Sequence, residues 1–285
     1  MTAIQSSPKS TLPSLFPYLN PVALFFNLWQ HRDLIAQFTV REVEGRYRGS
    51  FLGVLWSFAN PLLMLTTYTL VFGVIFRSRW SSSTQSLGEF ALVVFCGLIV
   101  FNLFSECVSR APGLIVAVPG YVKKVVFPLE VLPISVLGSA LFHGLISLTV
   151  LFAGLLLATQ RLPVTLLLLP IVAVPLVFLS LGVSWFLAGL GVFMRDIQHL
   201  SALLLQILLF ATPIFYSLEI VPQPLRTVVG LNPLSPAVEN FRRVILWGRA
   251  PVWMEWMAWT SGSFGVLLLG YAWFMRTKKA FADVI

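Results

Sequence analysis

The chain has 285 residues, of which 58% are hydrophobic and only 11% charged, and its formal net charge is +8. Soluble domains carry about 25% charged residues, so a soluble globule is excluded and a polytopic membrane protein is indicated. In such a protein excess Lys and Arg report orientation and contact with anionic headgroups, so no nucleic-acid partner is expected.

Residues 1–30 read as a flexible Ser-, Pro- and Thr-rich tail without the apolar core of a cleavable signal peptide, ending in a short apolar stretch, Asn20–Trp29. Residues 31–48 form the next unit, with Leu34, Ile35, Phe38, Val40 and Val43 set among charges, and predict an amphipathic helix at the cytoplasmic surface. From Phe51 to Phe76 there is no acid or base, a run longer than the roughly 20 residues that cross a bilayer. Gly49 and Gly53 stand at a spacing that lets a second helix approach, and Asn60-Pro61 is expected to break the backbone ladder within the span.

Five further apolar segments follow: Phe90–Val108, Val131–Ala158, Val164–Phe193, Gln198–Leu218 and Trp256–Met275. The connectors are a polar loop Arg77–Gly88, a basic connector Arg110–Pro128, turns at Gln160–Pro163 and Arg195-Asp196, and a long loop Glu219–Glu255. The transmembrane domain is thus residues 49–276, followed by a tail, 277–285. Six spans put both termini on one side, and the bias of Lys and Arg places that side in the cytoplasm. Cys96 and Cys107, both in apolar stretches, read as small buried hydrophobes, and no His/Cys cluster suggests a metal.

Three blocks carry a resemblance: RDLIAQFTVREVEGRYRGSFLGVLWSFANPLL from Arg32, YVKKVVFPLEVLPIS from Tyr121 and LNPLSPAVENFRRVILWG from Leu231. In this order they resemble the membrane subunit of bacterial ABC-2-type polysaccharide exporters, the permeases for O-antigen, capsule and teichoic acid chains. The resemblance implies an all-α fold with an N-terminal interface helix and short re-entrant helices before the last span. It also implies a homodimer in the inner membrane, paired with two copies of a nucleotide-binding subunit, moving a lipid-linked polysaccharide.

The residues add their own arguments. There is no G-x-x-x-x-G-K-[ST] motif, so no cofactor is expected on this chain; ATP and magnesium would sit on the partner subunit. Two stiff, charged elements suit mechanical coupling to such a partner. One is the end of the interface helix, Arg41, Glu42, Glu44, Arg46, Tyr47 and Arg48. The other is the connector with Pro119, Gly120, Lys123, Lys124 and Pro128, whose lysines also fit plain positive-inside bias.

Trp56, Asn60, Tyr68 and Phe72 in the first span, with Phe210, Phe215 and Tyr216 in the fifth, are candidates for a path on which sugar faces slide; each also fits ordinary packing. The long outer loop predicts short helices over Leu225–Gly230 and Ala237–Trp247, an outer gate with Asn232, Pro233, Pro236, Glu239, Arg242 and Arg243. Val238, Phe241, Ile245 and Leu246 would face the membrane while Glu239, Arg242, Arg243 and Arg249 stay wet. Glu106, the lone acid within a span, is spaced to pair with Arg110, as a helix-end salt bridge or a contact at a channel mouth.

The expected function is therefore a permease subunit of an ATP-driven exporter, with O-antigen as the leading cargo. Teichoic acid, capsule, a drug or a lipid are the alternatives within the transporter class. A membrane glycosyltransferase is disfavoured, because no paired carboxylates stand at an outer face.

Overall fold

The computed structural model describes residues 16–49, 53–75, 87–124 and 127–285. Every regular element among the described residues is a helix. A 3-10 turn, Phe16–Leu19, leads into α1, Pro21–Gln30. Asn20 starts α1 by accepting the Val22 N–H at 2.9 Å, with Pro21 in the first turn where no N–H is needed. After His31 comes α2, Arg32–Tyr47.

The chain then turns at Gly49, φ +84°, and Gly53, φ +49°. A side chain at either would meet nothing within 4 Å. The expected close helix approach at these glycines is therefore corrected: they are turn residues, placed where L side chains are strained. Ser50, Phe51 and Leu52 lie outside the described residues, as do Phe76 and most of the predicted polar loop, residues 76–86.

The first span is Trp56–Ile75, made of α3, Trp56–Tyr68, and wider π-type turns over Thr69–Ile75. Pro61 lies inside α3 and breaks its ladder without ending the helix. It has no N–H to give to the carbonyl of Ser57, so one ladder bond is lost, and neighbouring turns carry the helix through. Of the described α3 side chains only Ser57 is buried.

The core lies around α4, Leu87–Arg110. Within its most apolar window 72% of the residues are buried, against none for the first span. A connector follows, with a 3-10 turn Ala111–Gly113 and α5, Pro119–Lys124. Next come α6, Val131–Thr159, closed by Gln160 at φ +54°, and α7, Leu169–Phe193, entered through a 3-10 turn Val164–Leu168.

The fifth apolar segment is shorter than expected. It is α8, Ile197–Ala211, of 15 residues, which reaches about 22 Å at 1.5 Å per residue, less than the roughly 30 Å bilayer core. The reason is Pro213. The residue before a proline is pushed out of the α region, and Thr212 has φ −87° and ψ 138°.

The outer connector holds α9, Gln223–Leu231, and α10, Ser235–Ile245. The chain ends with α11, Trp253–Thr277, a 3-10 turn Lys278–Ala280 and α12, Phe281–Val284. Among the described residues four segments are long and apolar enough to cross a membrane by length and composition: Trp56–Ile75, Leu87–Gly113, Val131–Thr159 and Val164–Phe193. α11 has the length, with 25 residues, but its Trp, Ser and Gly residues dilute its apolar character.

α11 packs along α7 in the most extensive helix pair of the structure. They cross at Gly182 and Gly270, where a Cβ on Gly270 would fall 2.0 Å from the Gly182 carbonyl oxygen. α10 packs on α4, α7 and the turn before α7 at one end of the bundle. At the other end gather α2, α5, the start of α6 and α12, with Phe281 fully buried against Phe274 and Phe193.

Candidate functional site

The two charged elements singled out in the sequence form one unit. Phe38 of α2 lies 5.3 Å from Phe127 and 6.0 Å from Tyr121 of the connector, ring centre to ring centre, and Tyr121 stacks on Phe127 at 4.7 Å. Arg41 covers the Phe38 ring and reaches the Tyr121 hydroxyl at 3.4 Å. Packed aromatic rings thus join α5 to α2.

That unit is tied to the bundle by charge. Arg46 Nη1 is 2.7 Å from Glu106 Oε1 on α4 and 3.0 Å from His143 Nδ1 on α6, and His143 Nδ1 is 3.3 Å from Glu106. Arg110 pairs with Glu42. The expected Glu106–Arg110 contact within α4 is long, at 4.0 Å, because each residue takes a nearer partner on α2. Tyr47 is buried with its ring edge toward His143, 5.8 Å away. Thr39 sits so close to α6 that a Cβ on Gly138 would fall 2.7 Å from it.

The coupling residues named from sequence thus divide. Arg41, Glu44, Arg48, Pro119, Gly120 and Lys123 are exposed, and Pro128 is half-buried. Glu42 and Tyr47 turn inward, and Arg46, though exposed, reaches Glu106 and His143; the three hold α2 to its own bundle. The Lys124 side chain lies outside the description. The predicted apolar stripe on α2 is also corrected: its docked face is mixed, with Phe38, Thr39, Glu42 and Arg46 one turn apart, while Val40 is 55% exposed.

Beneath these ion pairs lies a cavity of about 950 Å³ between α2, α3, α4 and α6. Trp56 and Asn60, two of the expected path residues, line it. The other five gather elsewhere. Phe215 stacks on Phe72 at 4.5 Å, lies 5.1 Å from Tyr68 and 6.0 Å from Phe210, and the Tyr216 hydroxyl donates to the Phe210 carbonyl at 3.1 Å. The break at Pro213 is what carries these α8-end aromatics back onto the first span.

At the opposite end of the bundle the gate residues fold inward more than their composition suggested. Asn232 is buried, donates to Thr212 Oγ1 and accepts from the Leu234 N–H, each at 2.9 Å. Arg242 does not stay wet; it is fully buried. Its guanidinium donates to the carbonyls of Val93 at 3.1 Å, Pro213 at 2.7 Å and Ile214 at 2.9 Å, at the point where α8 ends. Gly97 leaves room for it, since a Cβ there would fall 2.9 Å from the guanidinium. Val238, Phe241 and Ile245 are buried against protein rather than turned to the membrane. Arg243 donates to the Ala250 carbonyl at 3.1 Å, Glu239 and Pro236 are half-buried, and Pro233 is exposed.

A further node was not singled out in the sequence. Glu130, just before α6, is 3% exposed. Its carboxylate accepts from Lys278 Nζ at 2.6 Å and Asn27 Nδ2 at 3.1 Å, and its backbone carbonyl accepts from Trp185 Nε1 at 3.0 Å. Asn27 also donates to the Tyr271 hydroxyl at 2.8 Å. Burial alone would raise this carboxyl, but the Lys278 ammonium, with help from Asn27, outweighs it and holds it below the usual range. The node joins α1, α6, α7 and the end of α11 beside the connector. A lone acid next to Pro128-Leu129 in a charge-poor chain was the available signal.

The family model described as ABC-2 type transporter matches residues 33–246. An O-antigen export system permease protein, RfbA, from Myxococcus xanthus is 31% identical, over 93% of this chain and 100% of that protein. A protein of the same name from Klebsiella pneumoniae is 26% identical, over 91% of this chain and 98% of its own length. The polysialic acid transport protein KpsM of Escherichia coli is 27% identical, over 73% of this chain and 80% of that protein.

Proposed function

The chain belongs to the ABC-2 type transporter family, and from that premise we propose that it is the membrane subunit of an ATP-driven exporter of lipid-linked polysaccharide, with O-antigen as the cargo. The names of the relatives that cover this chain over more than nine-tenths of its length support that cargo. Two copies act with two copies of a separate ATPase, which holds ATP and magnesium. The complex sits in the inner membrane with both termini of this chain in the cytoplasm, and residues 277–285 lie on that side.

The observation that carries this reading is the joined lever of α2 and α5. Its outward face, with Arg41, Glu44, Arg48 and Lys123, offers charges of both signs to a protein surface. Its inward face is fixed to α4 by Glu42–Arg110 and Arg46–Glu106, and to α6 by Arg46–His143. A push from the partner reaches the spans through these pairs, and the aromatic wall of Tyr68, Phe72, Phe210, Phe215 and Tyr216 gives a neutral polymer weak contacts along which to slide.

The test is deletion of this gene in the producing strain, with the neighbouring ATPase gene left intact. The expected outcome is loss of surface O-antigen, restored by the wild-type chain. Unchanged surface glycan overturns the reading, and loss of capsule with O-antigen intact moves the cargo to capsule.

A further inference from the structure

The acids in the lining of the cavity under α2 are each paired with a base. Arg46, Glu106 and His143 Nδ1 satisfy one another, and Glu42 holds Arg110. Two buried atoms of the lining, Ser57 Oγ and His143 Nε2, are without a hydrogen-bond partner among the described residues. In the tautomer in which His143 Nδ1 accepts from Arg46 the ring proton sits on Nε2 and makes it a donor; in the other, Nδ1 donates to Glu106 and Nε2 accepts. Asn60 and Asn102 bring amides from opposite walls, Ser147 adds a hydroxyl, and Trp56 supplies an exposed ring at the rim.

Such a set matches one ligand chemistry. Buried polar atoms left unpaired cost about 1–3 kcal/mol each, so a site that keeps them is completed by an occupant that bonds them. A phosphate that took Arg46 or Arg110 would displace Glu106 or Glu42 and leave a carboxylate unpaired; the remaining cation of the lining, Arg41, is drawn aside toward α5, over the Phe38 ring and to the Tyr121 hydroxyl. A neutral ring bearing several hydroxyls asks for no such exchange. Its hydroxyls both donate and accept, which suits Ser57, His143 Nε2 and the two amides together, and its C–H face packs on an indole. The volume of about 950 Å³ lies at the upper end of small-ligand pockets, which hold roughly 300–1,000 Å³.

We propose that this cavity is a binding site for a neutral, hydroxyl-bearing glycosyl unit, held by Ser57, Asn60, Asn102 and His143 before it reaches the aromatic wall. The site rests on the exporter reading and deepens it. Because Arg46 bonds both Glu106 and His143, movement of α2 alters the same side chain that bonds the sugar. Binding and the lever are thus joined at one residue.

The test places the photo-crosslinking amino acid p-benzoylphenylalanine at Asn102 or Ser147 in the full exporter, in cells making their glycan. Comparison positions are Phe210 on the aromatic wall and Leu145, 62% exposed on the outer side of α6. The expected result is a sugar-positive adduct at Asn102, Ser147 and Phe210 and none at Leu145. An added His143→Ala change lowers the Asn102 adduct about tenfold, the loss of one hydrogen bond of roughly 1.4 kcal/mol. An adduct at Phe210 alone overturns the site while leaving the exporter reading in place. Sugar at none of the positions overturns both, and a phospholipid adduct without sugar at Asn102 overturns the site in favour of a lipid headgroup.

Discussion

A single guanidinium decides how the outer end of the bundle is held. Arg242 bonds three backbone carbonyls, two of them at the residues where Pro213 ends α8. Each carbonyl stripped of a partner costs about 1–3 kcal/mol, so Arg242→Met is expected to destabilise the protein by about 3 kcal/mol or more. Thermal unfolding of the purified protein measures it, and Arg242→Lys recovers only part, since an ammonium cannot match a planar fork. The sequence held the clue to its burial. Arg242 lies four residues after Val238 and three before Ile245, on the apolar face of α10; reading every charge as wet obscured it.

Glu130 allows a test by pH. Its carboxyl is held below the usual range in the folded chain, so its contribution is fully present above the unfolded value of about 4.3. That contribution is lost as the pH falls through the lowered folded value. Glu130→Gln is expected to flatten this acid limb of a melting-temperature profile. A variant with an unchanged acid limb counts against the Lys278–Glu130 pair as its source. Neither this pair nor His143 was legible in sequence, because their partners lie 148 and 97 residues away. Glu106 could be read as important, but its spacing to Arg110 pointed within the helix, whereas a shorter contact came from α2.

At the scale of elements, periodicity and length gave the spans well. The bounds of α4, α6, α7 and α11 fall within a few residues of the apolar segments. The fifth span failed because hydropathy runs through Thr212-Pro213 while backbone sterics do not. The lever was legible as a charged helix, but its docking was not, since charges at a surface and charges paired across a groove look alike in one dimension. Reversing Glu42 to Arg is expected to weaken α2 docking and export, and adding Arg110→Glu to restore both. The coupling from a double-mutant cycle on thermal stability should be about 0.5–1 kcal/mol, given that Arg110 is 37% exposed. Restoration of neither quantity counts against the pair. Gly138→Leu should undock α2 more thoroughly, as no flexible neighbour yields at Thr39.

For the whole molecule, α3 and α8 are thinly held. α3 buries only Ser57 among its described side chains, and α8 buries only Ile197, Ser201 and Leu205. Leu63, Ile75, Leu203 and Ile207 are each at least 55% exposed. Lipid accommodates such faces, but on the two-copy assembly proposed above the aromatic wall they carry is half of a conduit whose other half belongs to the second copy. Cysteines at Leu203 or Ile207 are expected to form disulfide-linked dimers in membranes under mild oxidation. A cysteine at Leu157, 86% exposed on α6, should not. Monomer throughout, with export intact, argues against the two-copy assembly.

The turn at Gly49 and Gly53 has a mechanical meaning. α2 is bonded sideways to α4 and α6, and its covalent tie to α3 runs through two residues in left-handed backbone. On the coupling proposed above, load on α2 bypasses the peptide chain and enters the bundle at its most buried member, α4, through the ion pairs. A machine wired this way should survive a cut in the chain: two co-expressed pieces divided between Gly49 and Gly53 should reassemble and export, whereas a cut within 131–135, beside the Glu130 junction, should not.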